Sequence, residues 1–206
     1  KTVPRLAEMD TAVIVNVAGR TMDDYVHVVA ALDRVPTVRA FELNISCPNV
    51  REGGIAFGST PDAAAHLTGE VRGSTSKPLI VKLSPNVSDI ASIARAVEQA
   101  GADGISLINT LTGMVVDVRT RRPMLANVTG GLSGPAIRPV AIRMVWQAAR
   151  EVKIPVIGMG GIFSARDALE FIIAGASLVE VGSGMFVKPR LPLEVIAAVR
   201  REVGRD

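Results

Sequence analysis

The sequence has 206 residues, a formal net charge of +3 and 48% apolar residues, enough to bury a sizeable core. No run approaches the roughly 18 consecutive apolar residues of a membrane span. Aromatic residues are scarce at 3%, and the charges are scattered apart from Arg119, Arg121 and Arg122, which disfavours nucleic-acid binding by stacking over a basic groove.

In chain order, short Val- and Ile-rich runs bounded by turn residues alternate with helical patterns. The runs predict strands at 11–17, 40–46, 79–84, 104–109, 155–160 and 178–182. The intervening segments predict helices at 22–33, 61–71, 89–100, 136–152, 165–174 and 193–203. Ser88 and Ser164 stand where an N-cap belongs, and Gly101 and Gly175 where a glycine ends a helix. Such alternation implies an α/β fold with a parallel sheet. The echo between "AGADGISLIN" and "AGASLVEVGS", and the lack of a GxGxxG after the first strand, favour a (β/α)8 TIM barrel over an open nucleotide-binding sheet. The six strands counted fall short of the barrel's eight. The expectation is therefore a single barrel domain over 1–206 whose N-terminal strand units are missing from this chain.

Each predicted strand delivers a polar residue or a glycine at its C-terminal end: Asn16, Asn44, Lys82, Asn109, Gly160 with Gly161, and Gly182 with Ser183. That end of a barrel builds the active site. In "LIVKLSP", Lys82 alternates with Leu79, Val81 and Leu83 and faces the opposite side of its strand. It either meets an electron-rich partner, pairs with a structural carboxylate, or snorkels to the strand end. Three glycine loops, "GMGGIFS", "VGSGMF" and "TGGLSGPAIRP", lie on the same face, and amides without side chains can approach a phosphate closely.

The one cysteine, Cys47, cannot close an internal disulfide, so a reducing, cytoplasmic compartment is expected. From its residue type Cys47 is a nucleophile, a general base, a metal ligand or inert packing. Metal binding is disfavoured, because the two histidines, His27 and His66, fall in helical patterns without ligand spacing. Against inert packing stands the setting: Cys47 follows Ser46, precedes Pro48 and is flanked by Asn44 and Asn49, whose amides can grip a ligand with amide-like edges.

The segments "NISCPNV", "EGGIAFG", "VKLSPNV", "GADGISLINTLTGM", "TRRPMLANVTGGLSGPAIRP" and "IPVIGMGGI" occur in order from about Thr11 onward. Together they resemble the catalytic subunit of class 1 dihydroorotate dehydrogenases of the B, NAD-linked, type. The resemblance implies an FMN-containing (β/α)8 barrel that oxidises dihydroorotate to orotate in pyrimidine biosynthesis. It implies Cys47 as general base, and Asn44, Asn49, Asn109 and Thr110 as substrate ligands. For FMN it implies Asn16, Asn44, Lys82, the backbone at Ile108, and a phosphate cradle of Gly134, Gly160, Gly161, Gly182 and Ser183. It further implies a homodimeric core joined by an FAD and iron–sulfur subunit, with no membrane and no nucleic acid involved. Ser183 departs from the family's usual threonine but keeps a hydroxyl.

Residues 112–130 are long for a strand-to-helix connection, and "MVVDVRTRRPML" reads as a small hairpin over the barrel mouth, a lid or a partner contact. Two other readings stay open. One is a related FMN barrel acting on another dihydropyrimidine; the other is a non-catalytic phosphate-binding barrel subunit.

Overall fold

The computed structural model describes residues 5–46 and 54–203. Six parallel strands form one sheet in chain order: β1 (Val13–Val17), β2 (Val38–Asn44), β3 (Leu79–Lys82), β4 (Gly104–Leu107), β9 (Val156–Met159) and β10 (Leu178–Glu180). Four short strands intervene between β4 and β9. They are β5 (Leu111–Gly113), β6 (Val116–Asp117), β7 (Arg122–Pro123) and β8 (Gly130–Leu132), and they pair antiparallel as β5 with β8 and β6 with β7. The six-stranded sheet curls into the larger part of a (β/α)8 barrel, with helices on its outer face. Each predicted strand is present. Most stop two residues before their predicted ends, because there the polar residues leave the ladder and turn into the loops.

The helices are α1 (Met22–Asp33), the single turn α2 (Gly54–Phe57), α3 (Pro61–Arg72), α4 (Ile90–Gln99), α5 (Arg138–Ala149), α6 (Ala165–Ile173), the short α7 (Gly184–Val187) and α8 (Leu191–Val203). Local chemistry sets their starts. Thr21 and Asp24 form a reciprocal capping box on α1, Thr60 caps α3 ahead of Pro61, and Ser164 caps α6 through the Asp167 amide. The cap of α4 is Asp89, not Ser88, since the Asp89 carboxylate accepts from the amides of both Ala91 and Ser92. The helix expected over 136–152 is divided: a 3-10 turn over Pro135–Ile137 precedes α5. Pro139 lacks an N–H and its ring clashes one turn back, so it is accommodated only at a helix start. Gly101 and Gly175, with φ of 97° and 111°, end α4 and α6 as the sequence implied.

Strand alternation places the core. Phe41, Leu43, Leu79, Val81, Ile105, Leu107 and Val156 point outward and are buried under the helices. There they meet Tyr25, Val29, Leu67, Val71, Phe171 and the α4 stripe Ile90, Ile93, Ala94 and Val97, whose spacing puts all four on one face. Gly158 also faces out, because a Cβ there would stand 2.6 Å from Phe171 Cδ1. The alternate positions face the barrel interior, and they are polar at mid-height: Asn16, Glu42, Lys82, Ser106 and Glu180.

Candidate functional site

At the C-terminal ends of the strands lies a cleft of ≈ 280 Å³. Lys82, Ile108, Asn109, Thr110, Gly160, Gly161, Gly182 and Ser183 all line it, joined by Ser133, Met159 and Glu180. Eight residues singled out from four separate stretches of sequence therefore line one cleft. Gly134 sits just below, between the lining residues Ser133 and Ile137. Asn16 and Asn44 are not in the lining and connect to it through hydrogen bonds. Cys47 and Asn49 lie outside the described residues.

The carboxamides form a directed chain. Asn16 Nδ2 donates to Glu42 Oε2, which turns Asn16 Oδ1 upward to accept from Asn44 Nδ2 at 3.5 Å. Asn44 Oδ1 accepts from Asn109 Nδ2 at 3.2 Å and from Ser46 Oγ at 3.2 Å. Asn109 Nδ2 also donates to Ser46 Oγ at 2.6 Å, while Asn109 Oδ1 accepts from the Thr110 amide at 2.8 Å. Tyr25 on α1 donates its hydroxyl to the Asn44 carbonyl at 2.9 Å and so ties the end of β2 to the outer layer. Asn86 fastens the far side of the mouth, donating to the Thr110 carbonyl at 3.1 Å and accepting from the Thr112 amide at 2.9 Å. The amides are thus oriented from below by one carboxyl group, Glu42.

Two kinds of glycine build the opposite wall. Gly160 and Gly161 take φ of 119° and 78°, and a Cβ on Gly161 would come within 2.8 Å of the Gly134 carbonyl oxygen. Only glycine allows the two loops this approach. Gly182 is different: a Cβ there meets no atom within 4 Å, so its backbone borders open space. The same holds at Gly134. These bare amides, the Ser183 hydroxyl and the Lys82 ammonium suit a phosphate-bearing, electron-rich ligand.

Behind the glycines, the loop into α6 is pinned by Asp167. Its carboxylate accepts from the Phe163 amide at 2.9 Å and pairs with Arg138, which also reaches Glu170 at 3.3 Å. Burial opposes ionisation of Asp167, but the Phe163 amide, Ser164 and the Arg138 guanidinium outweigh it and hold the carboxyl below its ordinary range.

Sequence reasoning missed Glu42, Ser106 and Glu180. Lys82 does not pair with a carboxylate within 4 Å among the described residues, yet its charge acts on Glu180 across the interior. Burial first, then the neighbouring Glu42, push the Glu180 carboxyl up to about 7, with Lys82 opposing. A period-2 reading of "FELN" and "LVEV" shows both acids on their strands' inner faces; that those faces meet follows only from the curl of the sheet. His27 lies on α1 with its ring against the Asp23 carbonyl, and His66 lies on α3. No described helix is long and apolar enough to cross a membrane.

Comparison with known proteins adds independent findings. A family model described as dihydroorotate dehydrogenase matches residues 1–203. The chain is 56% identical over 204 residues to the dihydroorotate dehydrogenase B (NAD(+)) catalytic subunit of Geotalea daltonii, covering 99% of this chain and 67% of that protein. It is 59% identical over 195 residues to the protein of the same name from Trichlorobacter lovleyi, covering 95% and 64%. Against the one from Halalkalibacterium halodurans it is 61% identical over 185 residues, covering 90% and 61%. The chain spans about two thirds of the length of the relatives it matches.

Proposed function

Because this chain belongs to the dihydroorotate dehydrogenase family, we propose that its cleft serves the FMN-dependent oxidation of dihydroorotate to orotate in pyrimidine biosynthesis. The observation that carries this reading is convergence: Lys82, Asn109, Thr110 and the glycine amides meet in one cleft directly above the ordered carboxamide chain. In this reading residues 1–206 act as one barrel domain. Gly134, Gly160, Gly161, Gly182 and Ser183 hold the phosphate of FMN, while Lys82, Asn16 and the Ile108 backbone attend its ring. Asn44, Asn49, Asn109 and Thr110 hold the pyrimidine.

In this oxidation Cys47, as thiolate, would take the proton from one ring carbon as the bond to its neighbour becomes double, and FMN, when bound, would supply the two-electron acceptor that balances the reaction. A free thiol has a pKa of about 8.5, so Cys47 needs only modest activation to act as base near neutrality. Ser46, which precedes Cys47 in the sequence, is held by Asn44 and Asn109. Lys82 stabilises negative charge developing in the ligand, which gives its own inward-facing ammonium an electron-rich partner. The relatives' names carry NAD(+) and the words catalytic subunit; we extend both to this chain, with a homodimeric core, an FAD and iron–sulfur partner and a cytoplasmic setting.

Anaerobic absorbance of the complete flavin-loaded protein tests this. Dihydroorotate should bleach the flavin band promptly in wild type and far more slowly in Cys47→Ala. Equal bleaching in both would remove the base assignment. A flavin-loaded wild type that dihydroorotate leaves unbleached, but dihydrouracil bleaches, would move the activity to another dihydropyrimidine.

A further inference from the structure

The barrel interior holds two carboxyl groups that the proposed reaction leaves unused. Glu42 lies between the outward Phe41 and Leu43 and is 5% exposed. Glu180 on β10 is level with Met159 of β9, one residue on from the outward Gly158. Glu42 Oε2 accepts from Asn16, and its Oε1 accepts from Ser106 Oγ at 2.5 Å. Glu180 and Glu42 both face the barrel interior and act on each other as neighbours, with Lys82 the cation between the strands. Two neighbouring carboxyl groups with one cation in reach do not readily ionise together, so the pair retains a proton. Both Glu42 oxygens already accept, which leaves Glu180 to carry that proton.

We propose that Glu42 and Glu180 are positioning residues that share one proton beneath the cleft, leaving the pair a single negative charge matched by Lys82 while Glu42 orients the Asn16–Asn44–Asn109 chain. The proposal deepens the functional reading and rests on it in one respect, that the ligand above Lys82 is electron-rich. Burial of Glu180, and then the Glu42 charge, favour the protonated form to about pH 7. The groups around the pair support this. β9 turns Ile157 and Met159 inward, neither ionisable, and β1 and β4 offer Asn16 and Ser106. On the outer face, Asp167 and Glu170 of α6 are engaged by Arg138, and Arg166 reaches Glu170 at 3.9 Å. Glu42 and Lys82 are the charged groups facing Glu180 among the described residues.

Once the proton leaves, two negative charges oppose one Lys82, and the cleft floor becomes repulsive to an anionic ligand. The effect on stability has a definite sign. The folded carboxyl titrates at about 7, above its ordinary 4.5, so between these values the folded protein binds more protons than the unfolded chain. The stability contributed by this group is full below the lower value and lost as pH rises through the upper one.

The test uses the complete flavin-loaded protein, melted across a pH series in wild type and Glu180→Gln. Glutamine keeps a donor toward Glu42 and cannot ionise. The wild-type melting temperature should fall between about pH 5 and about pH 8, whereas Glu180→Gln should lack that step and be the more stable of the two at the alkaline end. Infrared spectra of wild type labelled with ¹³C-glutamate should show a protonated-carboxyl band that disappears on titration through neutrality, a result that stands even if the variant fails to fold. Parallel melting profiles in the two proteins, or no carboxyl band titrating in that range, would overturn the pair. Failure to bleach with dihydroorotate would instead overturn the functional reading and leave the melting and infrared results untouched.

Discussion

Gly161 and Gly182 line the same cleft, yet a methyl group would mean something different at each. At Gly161 the backbone has φ 78°, a region costing an L-residue about 1–2 kcal/mol. An added Cβ would also press on the Gly134 carbonyl and on Arg138 Cβ, both at 2.8 Å. At Gly182 the backbone is not left-handed and a Cβ meets no protein atom within 4 Å. Gly161→Ala should therefore lower both the melting temperature and the affinity for FMN. Gly182→Ala should leave the melting temperature of the flavin-free protein in place and weaken FMN binding alone, by roughly tenfold or more if the methyl displaces a phosphate contact worth about 1.5 kcal/mol. Fluorescence titration of FMN alongside thermal melts reads both quantities. An alanine at 182 that binds FMN like wild type would place the phosphate elsewhere. Residues of this kind were legible in the sequence because three glycine loops fall on one face, where any single one could serve an ordinary turn. Glu42 and Glu180 were not: an acid inside "FELN" or "LVEV" looks like one solvent-facing position of an ordinary strand until another strand's acid is brought opposite.

At the scale of elements, every strand and three helix starts, at Met22, Pro61 and Ala165, were legible, while the starts near Asp89 and Pro139 were misplaced. Strand positions follow from apolar runs between turn residues, and these survive any tertiary arrangement. A cap depends on which of two adjacent side chains reaches the first amides, and Asp89 outreaches Ser88 because its carboxylate serves two donors at once. Pro139 divided a helix that periodicity alone ran together. The expected mouth hairpin is present as β6 and β7. Its exposed Val116, Val118 and Met124 make it an apolar outcrop, with Arg119, Arg121 and Arg122 at its tip. Where β9 packs against α6, Phe171 lies directly over Gly158. Gly158→Ala should overpack this seam and destabilise the protein by about 1–3 kcal/mol. Because β9 carries straight into Gly160 and Gly161, flavin affinity should fall with it. Pairing the change with Phe171→Leu, which clears the ring, should restore most of both losses; a double variant as unstable as Gly158→Ala alone would mean the strain lies elsewhere.

For the whole molecule, the curl of the sheet decides what the sequence could not. It turns alternate residues of six separate strands toward one axis and joins Asn16, Glu42, Lys82, Ser106 and Glu180 into a polar layer. Among the described residues it also leaves β1 and β10 as outer strands of the six-stranded sheet, each paired on one side only. Their inward side chains show the consequence, with Ile14 48% and Leu178 59% exposed. An unpaired, apolar strand edge is a template for another strand. The two edges are complementary, since β1 and β10 run parallel in one sheet and a second copy can place its β1 beside the first copy's β10. That contact is heterologous, so it either closes a ring or extends without limit. A polypeptide of residues 1–206 prepared alone should therefore sediment as species larger than a monomer, growing with concentration. Lysine at the two edge positions, Ile14→Lys with Leu178→Lys, sets a charge on each template and should shift the population toward monomer while the far-ultraviolet circular dichroism stays unchanged. If the unsubstituted polypeptide runs as a monomer at every concentration, these edges are covered within the chain itself. If the lysine variant associates as strongly as its parent, the contact lies on the hairpin rather than on the strands.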